Sequence, residues 1–439
     1  MSGSQKAAKA TQMLKANVGS LLTEYINQNR RSEKAYQRAL KGLPGGTTRA
    51  VLESDPFPLV AKSAEGPNLT SIDGKTYIDF VSDFTAGLFG HSNKVIQDAI
   101  IGAVTNGFSL GAVTELEAQL SESIKQRFPS IDLVRYCNSG TEANTYAIAA
   151  GLAFTGRKKV MVFDRGYHGG TLNFSTPANP MNIPHNYVFG TYDEIAETQS
   201  VLSAEVGVIL IEPMQSSGGM RPASQEFLEY LRTAADALGA VLIFDEVVTS
   251  RLDYHGLQGR LGIRPDLTTL GKFHGGGLPF GAFGGRREIM EQFDPKSTSP
   301  IKLHHSGTFN NNIFTMTAAV AAVRVFTKEE VDRINVLGEK LRDGINEIIL
   351  EAGLERSLIA VGVGSCVGIG FLSAAADDLR DAFYFHHLNR GLWFGRRGFA
   401  CLNFAHQESR IEKALRSTKD FAQQYRQIIL DIESPETKL

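Results

Sequence analysis

The chain has 439 residues, of which 42% are hydrophobic and 21% charged, and its formal net charge is −2. That length exceeds one ordinary core, so two domains are expected, and the balance suits a globular enzyme with no nucleic-acid or membrane partner. No apolar run approaches the ~20 residues of a bilayer span, no secretory leader is visible at the start, and Cys137, Cys366 and Cys401 lack metal-ligand spacing and read as reduced core residues.

In chain order, residues 1–12 are polar and Ala-rich and are expected to fray. From Met13 to Leu40 apolar residues recur at helical spacing (Leu14, Val18, Leu21, Leu22, Tyr25). They predict an amphipathic helix that packs either on a partner subunit or on its own chain. Pro44-Gly45-Gly46 ends it, and a hairpin is expected to turn at Asp73-Gly74 between Leu69 and Ile78. Thr114 and Glu117 read as a capping box ahead of Leu116, Leu120 and Ile124. Strand-like segments follow at Leu133–Cys137, Val160–Phe163, Val206–Ile211, Val241–Phe244, Leu267–Leu270 and Ala282–Gly284, with helix-like ones between them, such as Thr141–Phe154. The alternation predicts an α/β fold with a mostly parallel sheet covered by helices on both faces.

A second capping box, Thr327 to Glu330, opens a long helix. Short strands within Ile359–Phe371, an Arg/Gly turn and a last amphipathic helix from Gln407 to Leu430 read as a smaller α+β domain. The expected division is therefore 1–78 (helix and strands joining the small domain), 79–326 (large domain) and 327–439 (small domain). The expected location is cytoplasmic, but Thr437-Lys438-Leu439 is one residue from a Ser-Lys-Leu address and leaves a peroxisomal one open.

The chemistry lies at strand ends. The Val241–Phe244 run ends on Asp245 and Glu246, and the Leu267–Leu270 run ends on Gly271-Lys272. Ligands of open α/β sheets bind outside the carboxyl ends of the strands. An acid placed to keep a pyridine nitrogen protonated, with a lysine able to form a Schiff base, is what pyridoxal phosphate chemistry requires. Ser139-Gly140-Thr141, between a strand and a helix, offers backbone N–H groups, hydroxyls and a positive helix end to a phosphate. The same residues would also serve as a plain N-cap. Lys272 does not end a nucleotide phosphate loop, because Asp266 stands where the earlier glycine belongs and Phe273 where Ser or Thr does. No G-x-G-x-x-G follows a strand, which argues against a nicotinamide dehydrogenase.

The blocks NSGTEAN (138–144), GYHGG (166–170), Glu212-Pro213, FDEVVTSR (244–251) and PDLTTLGKFHGGGLPFGAFGGRREIM (265–290) resemble the fold-type I, class III pyridoxal-phosphate-dependent aminotransferases. Glutamate-1-semialdehyde aminomutases share much of this wording. TTRAVLESDPFPL (47–59), FTAGLFGHS (84–92), HSGTFNNN (305–312) and Arg397-Gly398-Phe399 are similar to the β-phenylalanine-type, or β-amino acid, branch. The resemblance runs from about residue 42 to 430. It implies pyridoxal phosphate, with Lys272 as Schiff-base lysine and proton carrier and Asp245 on the pyridine nitrogen. It places Val247 on one ring face, Tyr167 on the other with His168 beside it, and Ser139, Gly140 and Thr141 around the phosphate. Thr308 would reach the phosphate of a neighbouring subunit, which implies a homodimer with shared sites. Glu212 would be a site acid, with structural capping as the alternative. Arg49 and Arg397 would clamp substrate carboxylates bidentately, and Arg396 remains an alternative to Arg397. The implied activity is ping-pong transfer of an amino group from an aromatic or apolar β-amino acid to a keto acid such as 2-oxoglutarate or pyruvate. The rival readings are an aminomutase, an amine transaminase of broad specificity, and a non-catalytic binding protein that keeps the fold.

Overall fold

Val160, Val162, Val208, Leu210, Val241 and Ile243 are buried in one apolar cluster, while Met161, Phe163, Ile209, Ile211, Leu242 and Phe244 are buried in another. Side chains along a strand alternate between faces. These strands are therefore covered on both sides, which is why their sequences are unbroken apolar runs. The first cluster is closed by Ala143, Ala147 and Ile148 of the helix Gly140–Thr155, and the second by Phe227, Leu228 and Leu231 of the helix Gln225–Leu238.

The structure is a computed structural model that describes residues 3–176 and 179–433, so the Thr437-Lys438-Leu439 tail lies outside the described residues. Among these, a seven-stranded sheet runs in the order Leu133–Cys137, Gly281–Gly285, Leu267–Gly271, Val241–Asp245, Val206–Ile211, Lys159–Phe163, Asn186–Gly190. The strand Gly281–Gly285 is antiparallel to both neighbours, and the other pairings are parallel. The edge strand Asn186–Gly190 is absent from the sequence expectation. It is partly exposed along most of its length, so it lacks the apolar run that marks the central strands.

The chain divides into two units. The sheet belongs to the unit made of Thr85–Phe89 and Asn93–Arg333. At the end of that unit only half of the expected second capping box forms. Thr327 Oγ1 accepts the Glu330 N–H at 3.3 Å, but the Glu330 carboxylate turns to Arg333 at 2.7 Å.

The other unit gathers the chain up to Phe84, Gly90–Ser92 and the chain from Ile334 on. Its first helix, Gly3–Gln28, buries Ala7, Ala10, Leu14, Val18, Leu21 and Tyr25. From Ala10 onward this stripe shares a core with Leu379 and Phe383 of the helix Ala376–Asn389 and with Phe421 and Tyr425 of the helix Glu408–Ile432. Residues 3–12 are thus helical rather than frayed, because Ala7 and Ala10 extend the buried stripe, and the helix packs on its own chain. It also stops earlier than expected, at Asn29, where a second helix, Arg30–Ala39, begins. The Asp73 carboxylate accepts the Arg31 N–H at 2.7 Å and the Ser32 N–H at 3.1 Å. This cap comes from a distant turn, so local periodicity does not reveal the break. Asp73-Gly74 itself turns the hairpin of Asn68–Ser71 and Thr76–Asp79, with Gly74 at φ 86°. Among the described residues no helix is long and apolar enough to cross a membrane.

The strand Gly281–Gly285, second from one edge of the sheet, passes close to the turn at Ser139. A Cβ on Gly281 would lie 2.1 Å from the Ser139 carbonyl oxygen, a backbone atom that cannot swing away. Gly281→Ala is therefore expected to cost about 1–3 kcal/mol by overpacking, read as a lower thermal midpoint. A variant that melts with the wild type would show that the strand has room.

Candidate active site

Asp245 is paired in parallel register with Thr269, and Lys272 follows that partner strand, Leu267–Gly271. Acid and lysine thus leave the same carboxyl edge of two adjacent parallel strands. Lys272 has φ 55°, a left-handed conformation. For a residue with a Cβ such a conformation costs of order 1–3 kcal/mol and persists only where surrounding structure imposes it. Here it ends the strand abruptly and turns the chain at the lysine.

Asp245 is 4% exposed. Its Oδ2 accepts Asn144 Nδ2 at 2.8 Å and lies 2.7 Å from His168 Nδ1, and its Oδ1 accepts the Val247 N–H at 3.0 Å. Asn144 also donates to the His168 carbonyl at 3.0 Å and accepts the Thr269 hydroxyl at 2.7 Å. The adjacent acid, Glu246, is separate from this set. It is fully buried and accepts the Thr249 hydroxyl and the N–H groups of Leu257 and Gln258, at the start of the helix Gly256–Leu261. Burial pushes its pKa up.

Glu212 follows the strand Val206–Ile211 and is buried. Its carboxylate accepts the Tyr167 N–H at 3.0 Å, the Ser216 N–H at 3.1 Å and the Ser216 hydroxyl at 2.8 Å. Burial drives its pKa up; His168 opposes that rise and Asp245 adds to it. Glu212 therefore pins the backbone of Tyr167, whose side chain stays exposed.

At the turn, Ser139 is the N-cap of the helix Gly140–Thr155, and its Oγ accepts the Glu142 N–H at 3.2 Å. A hydroxyl that accepts this bond still has its own O–H to donate. Helix geometry leaves the N–H groups of Gly140 and Thr141 without intrahelical partners. The N-cap and anion-site readings are thus compatible in one turn. A Cβ on Gly140 would lie 2.9 Å from Val247 Cγ2, and one on Gly271 would lie 3.3 Å from Val247 Cγ1. One on Gly169 would lie 2.2 Å from Thr141 Oγ1. The glycines let the turn and the Lys272 strand close around Val247, and the Tyr167 loop close on Thr141.

Thr308 lies in an exposed stretch from Ser306 to Phe309. The base of this loop is tied to the same turn. Asn310 Oδ1 accepts Asn138 Nδ2 at 3.0 Å, and Glu142 Oε2 accepts the Asn138 N–H at 2.9 Å. His305 Nδ1 accepts Arg135 Nε at 2.8 Å, and burial together with the Arg135 charge holds the His305 pKa down at about 4.

Arg49, Arg396 and Arg397 belong to the other unit. Arg49 Nη1 meets Asp83 Oδ1 at 2.6 Å, and its guanidinium lies 5.3 Å from the Phe84 ring centre. Arg396 is engaged through all three of its guanidinium nitrogens. Its Nε and Nη2 meet the two Asp381 oxygens at 3.2 and 3.0 Å, and its Nη1 donates to Ser54 Oγ and the Asp55 carbonyl at 2.9 and 2.7 Å. Arg397 is exposed and precedes Gly398, at φ 85°.

Sequence reasoning assigned no role to Asn144, Thr269, Ser216 or Asp83. Asn144 did leave a signal: a polar residue in an Ala-rich helix, on the face that meets the sheet.

The family model for class-III aminotransferases matches residues 50–407. The chain is 40% identical to a β-phenylalanine transaminase of Variovorax paradoxus over 411 residues, covering 90% of this chain and 94% of that protein. It is 33% identical to a glutamate-1-semialdehyde 2,1-aminomutase of Listeria welshimeri, covering 88% of this chain and 96% of that one. The solved β-phenylalanine aminotransferase from Variovorax paradoxus superposes with a TM-score of 0.91 at 38% identity, covering 94% of this chain and 98% of that chain. A transaminase solved with pyridoxal phosphate bound superposes with a TM-score of 0.84 at 31% identity, covering 91% and 99%. The residues of this chain fit that cofactor: a helix-end turn of Cβ-free and hydroxyl residues suits a phosphate, and a buried, firmly held carboxylate suits a protonated ring nitrogen.

Asn144→Ala would leave Asp245 short of one donor and the buried Thr269 hydroxyl without its acceptor. The expected loss is about 1–3 kcal/mol of stability, measured by denaturant unfolding. An unchanged midpoint would show that water replaces the amide.

Proposed function

The chain belongs to the class-III aminotransferases and is a pyridoxal-phosphate-dependent enzyme; we propose that it moves an amino group from an aromatic or apolar β-amino acid to a keto acid, 2-oxoglutarate or pyruvate. The observation that carries the substrate class is Arg49, a half-exposed guanidinium with an aromatic ring beside it. A guanidinium fork takes a carboxylate bidentately, and the ring suits an apolar side chain. The likeness to a β-phenylalanine transaminase supports the same reading. With Arg396 committed to Asp381 and Ser54, Arg397 is the arginine we assign to the keto-acid carboxylate.

When bound, the cofactor supplies a ring that accepts electrons from the substrate carbon. Asp245 would hold a proton on the ring nitrogen, with His168 and Asn144 keeping the carboxylate aimed. Lys272 Nζ would take the proton from the substrate carbon that bears the amine. Ser139, Gly140 and Thr141 would bind the phosphate, Tyr167 and Val247 would flank the ring, and Glu212 would act as a positioning residue through Tyr167. We assign Thr308 to the phosphate of a second copy, so the working form is a homodimer. Phe108, Leu110, Val113 and Phe309, all largely exposed in the single chain, offer apolar surface that a second copy would cover.

The reading is tested by single-turnover half-reactions of the cofactor-loaded protein, followed by cofactor absorbance. An aromatic β-amino acid should convert the cofactor and a keto acid should restore it. Arg397→Ala should slow the keto-acid half at least ~10-fold more than the amine half, since a lost charge-assisted bond is worth 1.5–3 kcal/mol or so. If Arg396→Ala does this instead, the clamp moves by one residue. If simple amines react and β-amino acids do not, the chain is an amine transaminase. Turnover without any keto acid would identify an aminomutase.

Asp245→Asn keeps the side chain's size and removes its charge. Turnover should fall on the order of 10²-fold or more, with cofactor retained and borohydride still fixing it onto Lys272. Near-normal turnover would make Asp245 a structural cap.

A further inference from the structure

Two consecutive side chains converge on Arg49. Asp83 gives it a single hydrogen bond, Nη1 to Oδ1 at 2.6 Å, and Phe84 lies beside the guanidinium, 5.3 Å from ring centre to cation. Both members of the ion pair are about half exposed, 46% and 55%. The backbone that presents them is unusual: Ser82, Asp83 and Phe84 have φ of 46°, 46° and 54°, and none of them is glycine.

This left-handed run is imposed from below. The buried Asp79 carboxylate accepts the Val81 and Ser82 N–H groups at 2.7 and 2.9 Å, and its other oxygen lies 2.9 Å from His91 Nε2. Ser82 donates its hydroxyl to the Cys401 carbonyl at 2.7 Å and accepts Asn403 Nδ2 at 3.0 Å. Strain held by so many buried bonds marks a place where the chain aims particular side chains. Here it aims Asp83 and Phe84, and both reach Arg49.

A guanidinium binds a carboxylate best through two parallel bonds. Asp83 makes one, on an exposed arginine, where an ion pair contributes little and is readily exchanged. We propose that Asp83 is an internal placeholder: it occupies Arg49 between turnovers, and a substrate carboxylate displaces it. This deepens the assignment of Arg49 as carboxylate clamp and rests on it. Asp83 then sets specificity, because every incoming carboxylate competes with one already present. A ligand without a carboxylate does not meet that competition. The placeholder weakens carboxylate binding and in return speeds release.

The probe is 3-phenylpropionate, which has the carboxylate and the ring but no amine to react. Its affinity for the cofactor-loaded protein is measured by calorimetry in wild type, Asp83→Asn and Arg49→Ala. Asparagine has the size of aspartate and tolerates a left-handed backbone better than most residues, and Asp83→Gly, which suits positive φ, serves as the second variant. Both Asp83 variants should bind the probe about two- to five-fold more tightly, the range set by removing one exposed competing carboxylate. Damage to a merely structural residue does not tighten a ligand. Arg49→Ala should lose the probe. If Arg49→Ala loses it while both Asp83 variants bind with equal or weaker affinity, Asp83 is a strut, and the placeholder is overturned while the clamp stands. If Arg49→Ala binds the probe like wild type, the clamp assignment fails and the placeholder falls with it.

Discussion

A carboxylate taken out of water must find donors, and Asp245 finds them in segments far apart in the chain. Asn144 comes from the helix that follows the turn at Ser139, His168 from a loop, and Val247 from the chain just beyond the strand. An unpaired buried charge is among the most destabilising features a fold contains. The helix, the loop and the strand end are therefore not free to drift. Satisfying one anion draws together the turn, the Tyr167 loop and the strand that leads to Lys272.

Close approach is the second condition, and it is steric. The turn at Ser139 rests on a strand whose glycine leaves no room for a methyl group, and Val247 fits between Gly140 and Gly271. These glycines matter for what their missing Cβ atoms permit rather than for loose backbone. Most are strand, turn or helix-start residues with ordinary dihedrals, so their role is invisible until the neighbouring backbone is placed.

The fold was legible where physics is local. The double-sided burial of Val160–Phe163 and Val241–Phe244 is written into their unbroken apolar runs, and so are the acid and the lysine at two strand ends. It was illegible where partners are remote. The break at Asn29 depends on Asp73, and the edge strand Asn186–Gly190 has too little burial to carry a pattern. Asn144 stands in the NSGTEAN block with no legible role, because its importance lies in three bonds to Asp245, His168 and Thr269 that only the folded sheet brings within reach. The double acid shows the same limit. Asp245 and Glu246 are neighbours in sequence with similar burial, yet one faces the candidate site and the other closes a helix start.

The pair Arg396 and Arg397 makes the general point. Nothing in their own turn separates them, since both are basic, adjacent and beside a glycine. What the turn does not show is that Asp381, fifteen positions away, and Ser54, 342 positions away, engage the fork of Arg396. An arginine whose donors are already paired contributes to the fold and has little left for a ligand, whereas one held by a single bond, as Arg49 is by Asp83, has further N–H groups to offer. What a charged residue can recognise is thus decided by which of its valences the rest of the chain has already filled.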